Sequence, residues 1–444
     1  MMKPMEFDRR KLLAGITAAA LTAAAGPARG RAVASGLGNL QSLIDSYVAA
    51  GRVPGAVVAL VRPGRFRPDY LFAGKTAFDG GVAVTPDTLW RIYSMSKPIT
   101  GMAVMQQVAT GAFGLDQPIA DIMPEFKAMQ VMIDPAKGLE SRPTDKPILV
   151  RHLLTHSAGL SYSIVGNGPL EKEYRRLGLQ PGTGASGLRP GDGALPDLQG
   201  FALRLAGLPL VSDPGTAWRY SVGLDLCGAL LERLTGTPFD AVLQAQLFGP
   251  LGMASTGFSV APNDLARLSS NYAWVDRSFK PIDKPVLIDG PARSDWLGPQ
   301  KLLSGGGGLL GSARDYARFG QMLLNDGLFE GRQVMPPGIV RRGMSNLLPP
   351  GVFYRGEGDN GFGAGGQVEL FDTSASPNGA PAGSYGWGGA AGTKFVVDPV
   401  RRVAVVVMLQ YLPTDRFPLY SDLRGALNRD LAMPRAGGRF GASA

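Results

Sequence analysis

The chain has 444 residues, 45% of them hydrophobic, and a formal net charge of +9. That composition supports a large buried core and excludes a collagen-like, low-complexity or disordered chain. Six basic and two acidic residues fall within residues 1–34, so the remainder keeps only +5. No Lys/Arg cluster interleaved with aromatics supports nucleic-acid binding.

Residues 1–34 combine a basic front, a weakly apolar middle rich in Ala and Gly, and a final Ala32-Val33-Ala34. These are the three parts of an export signal. Arg9-Arg10 followed by Leu12-Leu13 matches the twin-arginine type, which exports folded proteins. The apolar stretch is shorter than the ~20 residues a membrane span needs. Cleavage, a periplasmic or secreted protein and no stable membrane anchor are therefore expected. Cys227 is the single cysteine, so no internal disulfide can form, and its apolar helical surroundings suit a small core residue.

Downstream, Leu40, Leu43, Ile44 and Val48 recur at helical spacing, and residues 55–62, "GAVVALVR", predict a strand continued by "PDYLFAG". From residue 99 to about 300 the pattern is mostly helical with long Gly/Pro loops. "LDLCGALLERLTG" ends a helix at Gly236, and "FDAVLQAQLFGPLGM" follows as a second. "SARDYARFGQMLLNDG" predicts a third, capped by Ser312 and stopped by Gly327. Residues 393–410 are β-branched on both sides of Asp398-Pro399, a hairpin signal, and a last helix is expected over about 417–432. The segment "GNGPLEKEYRRLGLQPGTGASGLRPGDG" is too long for an idle connection and is a candidate substrate-side loop.

Strands at both ends with helices between predict an α+β fold: an antiparallel sheet assembled from the N- and C-terminal segments, flanked by helices. Residues 35–105 and 300–444 would form the α/β part of one catalytic unit, and 106–299 an inserted, mainly helical part.

Three stretches could carry chemistry. In "RIYSMSKPIT", Pro98 is tolerated only near a helix start, so the helix of Ile99, Met102, Met105 and Val108 must begin close to Ser94. Lys97 then lies on the same face as Ser94, and it could take the serine's proton. A capping Ser with a solvent-facing Lys is the plainer alternative, although this is the only S-x-x-K among twelve lysines. In "PGTAWRYSVGLDL", Tyr220 stands at a loop–helix junction, where a phenol beside a Lys can serve as general base. In "SYGWGGAAGTKFVV", small residues before a strand could offer backbone N–H groups to a developing oxyanion. "SGGGGL" (304–309) reads as a flexible turn before a helix.

In this order, Ser94-Met95-Ser96-Lys97, Tyr220-Ser221-Val222 and Trp387-Gly388-Gly389 resemble the serine β-lactamase and penicillin-recognising superfamily. "VRHLLTHSAGL", "GPLGM" and "LLSGGGGLLGSARDYARFG" resemble it too, so the likeness covers nearly all of the chain after residue 34. Class C-like β-lactamases and D,D-peptidases usually carry Lys-Thr-Gly, or His for the Lys, as third motif, and their second motif usually ends in Asn. Trp-Gly-Gly and Tyr-Ser-Val depart from both, in the manner of family VIII carboxylesterases and related acyltransferases.

The resemblance implies Ser94 as nucleophile, Lys97 and Tyr220 as a coupled base, and the backbone N–H groups of Ser94 and Ala390 as oxyanion hole, with Ala390 on the expected strand. Trp387, Gly388 and Gly389 would bind substrate, a small-molecule ester, with no cofactor and no metal. His152 and His156 stand i, i+4, but no Glu follows the first and no third His exists, so metal binding lacks support. A Ser-His-Asp triad lacks support as well, since no nucleophile elbow is present. Tyr93, Tyr162, Trp274, Trp296 and Tyr354 are candidate pocket aromatics. An amide-directed enzyme of the same fold, or a non-catalytic binding protein, are the alternatives. The sequence leaves oligomeric state open.

Overall fold

The computed structural model describes residues 36–431, apart from 181–195 and positions 64, 66, 165, 277, 357, 377 and 378. The expected export signal and much of the expected substrate-side loop lie outside the described residues. The chain begins with α1 (Gly38–Ala49), β1 (Gly55–Val61) and β2 (Asp69–Gly74), followed by α2 (Ser96–Ala109), α3 (Gly223–Thr235) and α4 (Ala313–Leu324). Five strands return near the end: β3 (Asn360–Phe362), β4 (Gln367–Glu369), β5 (Tyr385–Gly388), β6 (Lys394–Asp398) and β7 (Val403–Met408). Helix α5 (Leu419–Asp430) closes the fold.

The seven strands form one sheet in the order β3-β4-β5-β6-β7-β1-β2, antiparallel throughout. Every residue of β1 is buried, because both faces of the sheet are covered. Successive side chains of a strand point to opposite faces. Val57 and Ala59 accordingly join Val406, Met408 and the buried face of α4, while Ala56, Val58 and Leu60 meet Leu40, Ile44, Leu419 and Leu423 from α1 and α5. The α+β layout with a sheet built from the two ends of the chain is therefore observed. The hairpin expected around Asp398-Pro399 is the β6–β7 pair.

The helices follow their local signals. Ser312 caps α4 by accepting the Asp315 N–H at 3.1 Å. Helix α3 ends at Gly236, which adopts the left-handed conformation at φ 65°. Two antiparallel pairs occur inside the region expected to be mainly helical: Gln130–Met132 with Ser141–Pro143, and Asn271–Val275 with Pro281–Asp289. The strand Pro281–Asp289 faces solvent along most of its length and carries two prolines, so it lacks an apolar run that would mark it. Among the described residues, no helix is long and apolar enough to cross a membrane.

Helix α2 sits almost wholly in the core, with Ser96 to Met105 buried. At Gly101 its backbone approaches the Ala364 carbonyl so closely that a Cβ would collide with it. An exposed helical Gly→Ala change usually stabilises. Here the sign reverses: Gly101→Ala is expected to destabilise by about 1–3 kcal/mol through overpacking, measurable as a lowered urea midpoint with unchanged m-value.

Candidate active site

Ser94 lies in a 3₁₀ turn, Tyr93–Met95, that runs directly into α2. Pro98 is the third residue of α2, within the first turn, where its missing N–H leaves no hydrogen bond unmade. The residue before the serine is unusual. Tyr93 has φ 42°, a left-handed conformation costly for a bulky side chain. Its surroundings hold it there: the ring packs edge-to-face on Trp296, and Asn271 Nδ2 donates to its hydroxyl at 3.0 Å. Tyr316 donates to the Met95 carbonyl at 2.7 Å, and the Leu309 N–H donates to Ser96 Oγ at 3.1 Å. On the preceding side, the buried Arg91 pairs with Asp289. The turn is thus clamped from the helix, the hairpin and the 302–312 segment together.

Three side chains converge on Ser94. Tyr220 donates to Ser94 Oγ at 2.8 Å, and Lys97 Nζ donates to the same oxygen at 3.2 Å. Trp387 Nε1 lies 3.4 Å from the Tyr220 oxygen. Lys97 is completely buried, and its ammonium also donates to the Gly306 carbonyl at 2.6 Å. It stands over the faces of Tyr220 and Tyr162, 4.7 and 5.4 Å from the ring centroids.

Asp225, in the first turn of α3, completes this group. It is fully buried; its Oδ1 accepts from Ser304 Oγ at 2.5 Å and from the Gly306 N–H at 2.9 Å. Its Oδ2 has no hydrogen-bond partner among the described residues. Burial pushes the Asp225 carboxyl up, while the charge of Lys97 and the Ser304 and Gly306 hydrogen bonds pull it down. Gly306 therefore takes a carboxylate on its N–H and presents its carbonyl to the ammonium. The 304–309 stretch is not the flexible turn expected. A Cβ at Gly305 would fall 2.5 Å from the Leu224 carbonyl oxygen, so its glycine allows the loop to reach α3.

Around Tyr220 lies an aromatic wall. Its ring contacts His156 at 4.7 Å and Trp387 at 5.7 Å between centroids. Trp218 meets Tyr354 at 4.8 Å, and Phe362 meets Trp387 at 5.2 Å, within the range of favourable edge-to-face pairs. His156 Nδ1 accepts the Ser221 N–H at 3.2 Å, so the imidazole acts as a buried support beneath Tyr220. Strand β5 ends at Gly388, which places Ala390 in the turn between β5 and β6 and not on the strand. No hydrogen bond engages the Ala390 N–H among the described residues. The same segment touches the serine turn, since Thr393 Oγ1 donates to the Ile92 carbonyl at 3.4 Å.

Residues 40–427 match the Beta-lactamase family. The chain belongs to that family. Esterase EstB of Burkholderia gladioli is 31% identical over 83% of this chain and 89% of its own. Monacolin J acid methylbutanoyltransferase of Aspergillus terreus is 26% identical over 84% of this chain and 90% of its own. Among solved structures, "EstCE1, a hydrolase with promiscuous acyltransferase activity" superposes with TM-score 0.71 at 25% identity, covering 88% of this chain and 98% of that one. The Beta-lactamase family comprises serine hydrolases, and the α+β architecture above is its fold.

In this Beta-lactamase family member the structure brings Ser94, Lys97, Tyr220 and Trp387 together, with Tyr162 and Tyr354 nearby. Tyr93 and Trp296 support the serine turn, whereas Trp274 packs on Phe417 in the cluster behind the sheet. Asp225, Trp218 and Phe362 were not singled out by sequence, and the Ser304–Gly306 loop was read only as a flexible turn. Asp225 carried one signal, as a lone acid within the otherwise apolar start of α3. The two histidines serve different places: His152 Nδ1 accepts the Leu149 N–H at 3.1 Å, away from Ser221.

Burial pushes the His152 imidazole down to about 4, with Arg151 adding to the shift and Asp116 opposing it. Burial, then the Lys97 charge, holds His156 well below its ordinary value. Both remain neutral in the fold, while histidines of the unfolded chain take protons below about pH 6.5. Their contribution to stability is thus complete above about pH 6.5 and declines as pH falls toward 4. For His152 this amounts to roughly 2 kcal/mol between pH 7.5 and 5. Urea denaturation at the two pH values measures it, and His152→Gln removes that share of the pH dependence.

Proposed function

We propose that this protein is a serine esterase of the family VIII carboxylesterase type, acting on small carboxylic esters through an acyl-enzyme on Ser94. The observation that carries the reading is the Ser94 oxygen within hydrogen-bonding distance of both Tyr220 and Lys97. A serine hydroxyl attacks only when a base removes its proton; with one proton missing from the pair, as the Tyr220 phenolate or the Lys97 amine, Tyr220 and Lys97 take that proton as one coupled unit. The proton then returns from the pair to the leaving alkoxide. In deacylation the same pair activates water. The backbone N–H groups of Ser94 and Ala390 are the proposed donors to the oxyanion.

The choice of ester over β-lactam or peptide rests on Trp387. An indole stands on β5 where an amide-directed enzyme of this type would carry a cation for a substrate carboxylate. Trp218, Tyr354, Phe362 and Trp387 form an uncharged aromatic wall beside Ser94, suited to a neutral, apolar acyl or alcohol group. Short-chain acyl esters are the proposed substrates. Acyl transfer to an alcohol is a second reading, favoured by the transferases among the relatives. Export through the twin-arginine route is part of the proposal and rests on residues 1–34.

Purified protein assayed with p-nitrophenyl esters and a chromogenic cephalosporin tests the reading. Ester turnover is expected to exceed cephalosporin turnover, and Ser94→Ala to reduce it by about a thousandfold or more. Turnover that survives Ser94→Ala would sink the nucleophile assignment, and dominant cephalosporin turnover would reverse the substrate class. Added alcohol that yields a new ester would establish the transfer reaction.

Asp225 is proposed as a positioning residue for Lys97. Asp225→Asn keeps the acceptor for Ser304 and Gly306 but removes the charge that faces the ammonium. Ester kcat is expected to fall about 10–100-fold, or ~1.4–2.7 kcal/mol, with KM little changed. Equal losses in Ser304→Ala and Asp225→Asn would instead point to loop placement alone.

A further inference from the structure

The back face of the sheet holds a feature that the esterase reading leaves unused. Alternation along the strands sends Ser384, Gly386 and Gly388 of the β5 segment, and Lys394 and Val396 of β6, away from Ser94. Small residues there leave room beneath α5. A cavity of about 380 Å³ runs between these strands and α5, with Val396, Val405, Val407 and Leu423 along its apolar wall.

Its polar groups are unevenly matched. Arg401 pairs with Asp398 at 3.0 Å, and Arg424 with Glu369 at 3.4 Å. Lys394 is half-buried, and its ammonium has no hydrogen bond or ion pair among the described residues; it rests over the Tyr420 ring at 4.9 Å. Burial, reinforced by Arg424 and Arg355 and opposed by Glu369, pushes this ammonium down to about 8. A cation so placed gains from an anionic partner. Ser384, 3% exposed, lines the same cavity, and its Oγ lacks any partner among the described residues. An apolar, concave space of this size with a few unfilled polar positions has the composition of a small-molecule site.

We propose that this cavity binds an alkyl carboxylate, its carboxylate on Lys394 and its chain along Val396, Val405, Val407 and Leu423. The aliphatic wall selects a hydrocarbon chain, and the unpaired ammonium selects its charged end. Ser384 offers a further hydrogen bond along the trough. The site lies across the sheet from Trp387 and Ser94, so it is independent of the acyl-enzyme reading. An alkyl carboxylate is also what hydrolysis of an alkanoate ester releases.

Calorimetric titration of the full chain with sodium decanoate, below its micelle concentration at pH 7, tests the proposal. One-site binding is expected, weakened at least tenfold in Lys394→Met, kept within threefold in Lys394→Arg, and abolished when Val407→Trp fills the trough. Turnover of p-nitrophenyl acetate should be retained in Lys394→Met. If Val407→Trp does not fold, the Met and Arg variants at position 394 carry the comparison alone. Absence of decanoate binding to the unmodified protein would overturn the proposal. So would binding within threefold of the unmodified protein in Lys394→Met, since the acid would then be held elsewhere, including the Ser94 cleft.

Discussion

A buried carboxylate and a buried ammonium, Asp225 and Lys97, are joined through the two sides of one glycine residue. The Gly306 N–H points to the carboxylate and its carbonyl to the ammonium. Neither ion has solvent access. Removing two charges from water costs several kcal/mol each unless hydrogen bonds and mutual attraction offset it. That constraint explains the tight assembly around them: an all-buried α2, an α3 that brings Asp225 inward, and a glycine-rich loop able to reach both. A charge placed there for stability alone would be hard to justify, because well-packed apolar residues would serve as well. On the proposed reading, its place beside Ser94 gives the arrangement a chemical purpose.

The serine turn adds a second local cost. Tyr93 in a left-handed conformation is strain of order 1–3 kcal/mol, held by Trp296, Asn271, Tyr316 and the Arg91–Asp289 pair around it. The consequence is a hydroxyl whose position is set by rigid elements on several sides. Tyr220 is supported in turn by His156, Trp218 and Trp387. This aromatic packing keeps the phenol oxygen on Ser94.

Much of this was legible in the residues. β1 reads as a strand because its run is apolar throughout, as a strand covered on both faces must be. α4 announces itself by its cap and stop, and Pro98 places the helix start near Ser94. What sequence could not reveal depends on distant pairing. Asn360–Phe362 and Gln367–Glu369 are three residues each and rich in glycine around them, too short for any periodicity. The Ser304–Gly306 loop reads as flexible because glycine permits many shapes; the Leu224 carbonyl and Asp225, some eighty residues earlier, select one. Trp274 is a candidate pocket aromatic by sequence and Trp218 is not, yet Trp218 packs beside Tyr220 while Trp274 lies in the cluster behind the sheet. Ala390 was assigned to a strand that stops two residues before it.

The central pairing of the sheet joins β1 to β7, so Val57 meets Met408 across some three hundred and fifty intervening residues. Contacts of such separation form late, since a long loop must close before they gain anything. During synthesis β1 emerges early, apolar on both faces, and waits without its neighbour until nearly the whole chain is made. The interior strand of the finished sheet is thus an exposed edge of the nascent one, the kind of surface that invites association with other chains. Truncation after β6 would leave that edge of β1 permanently open.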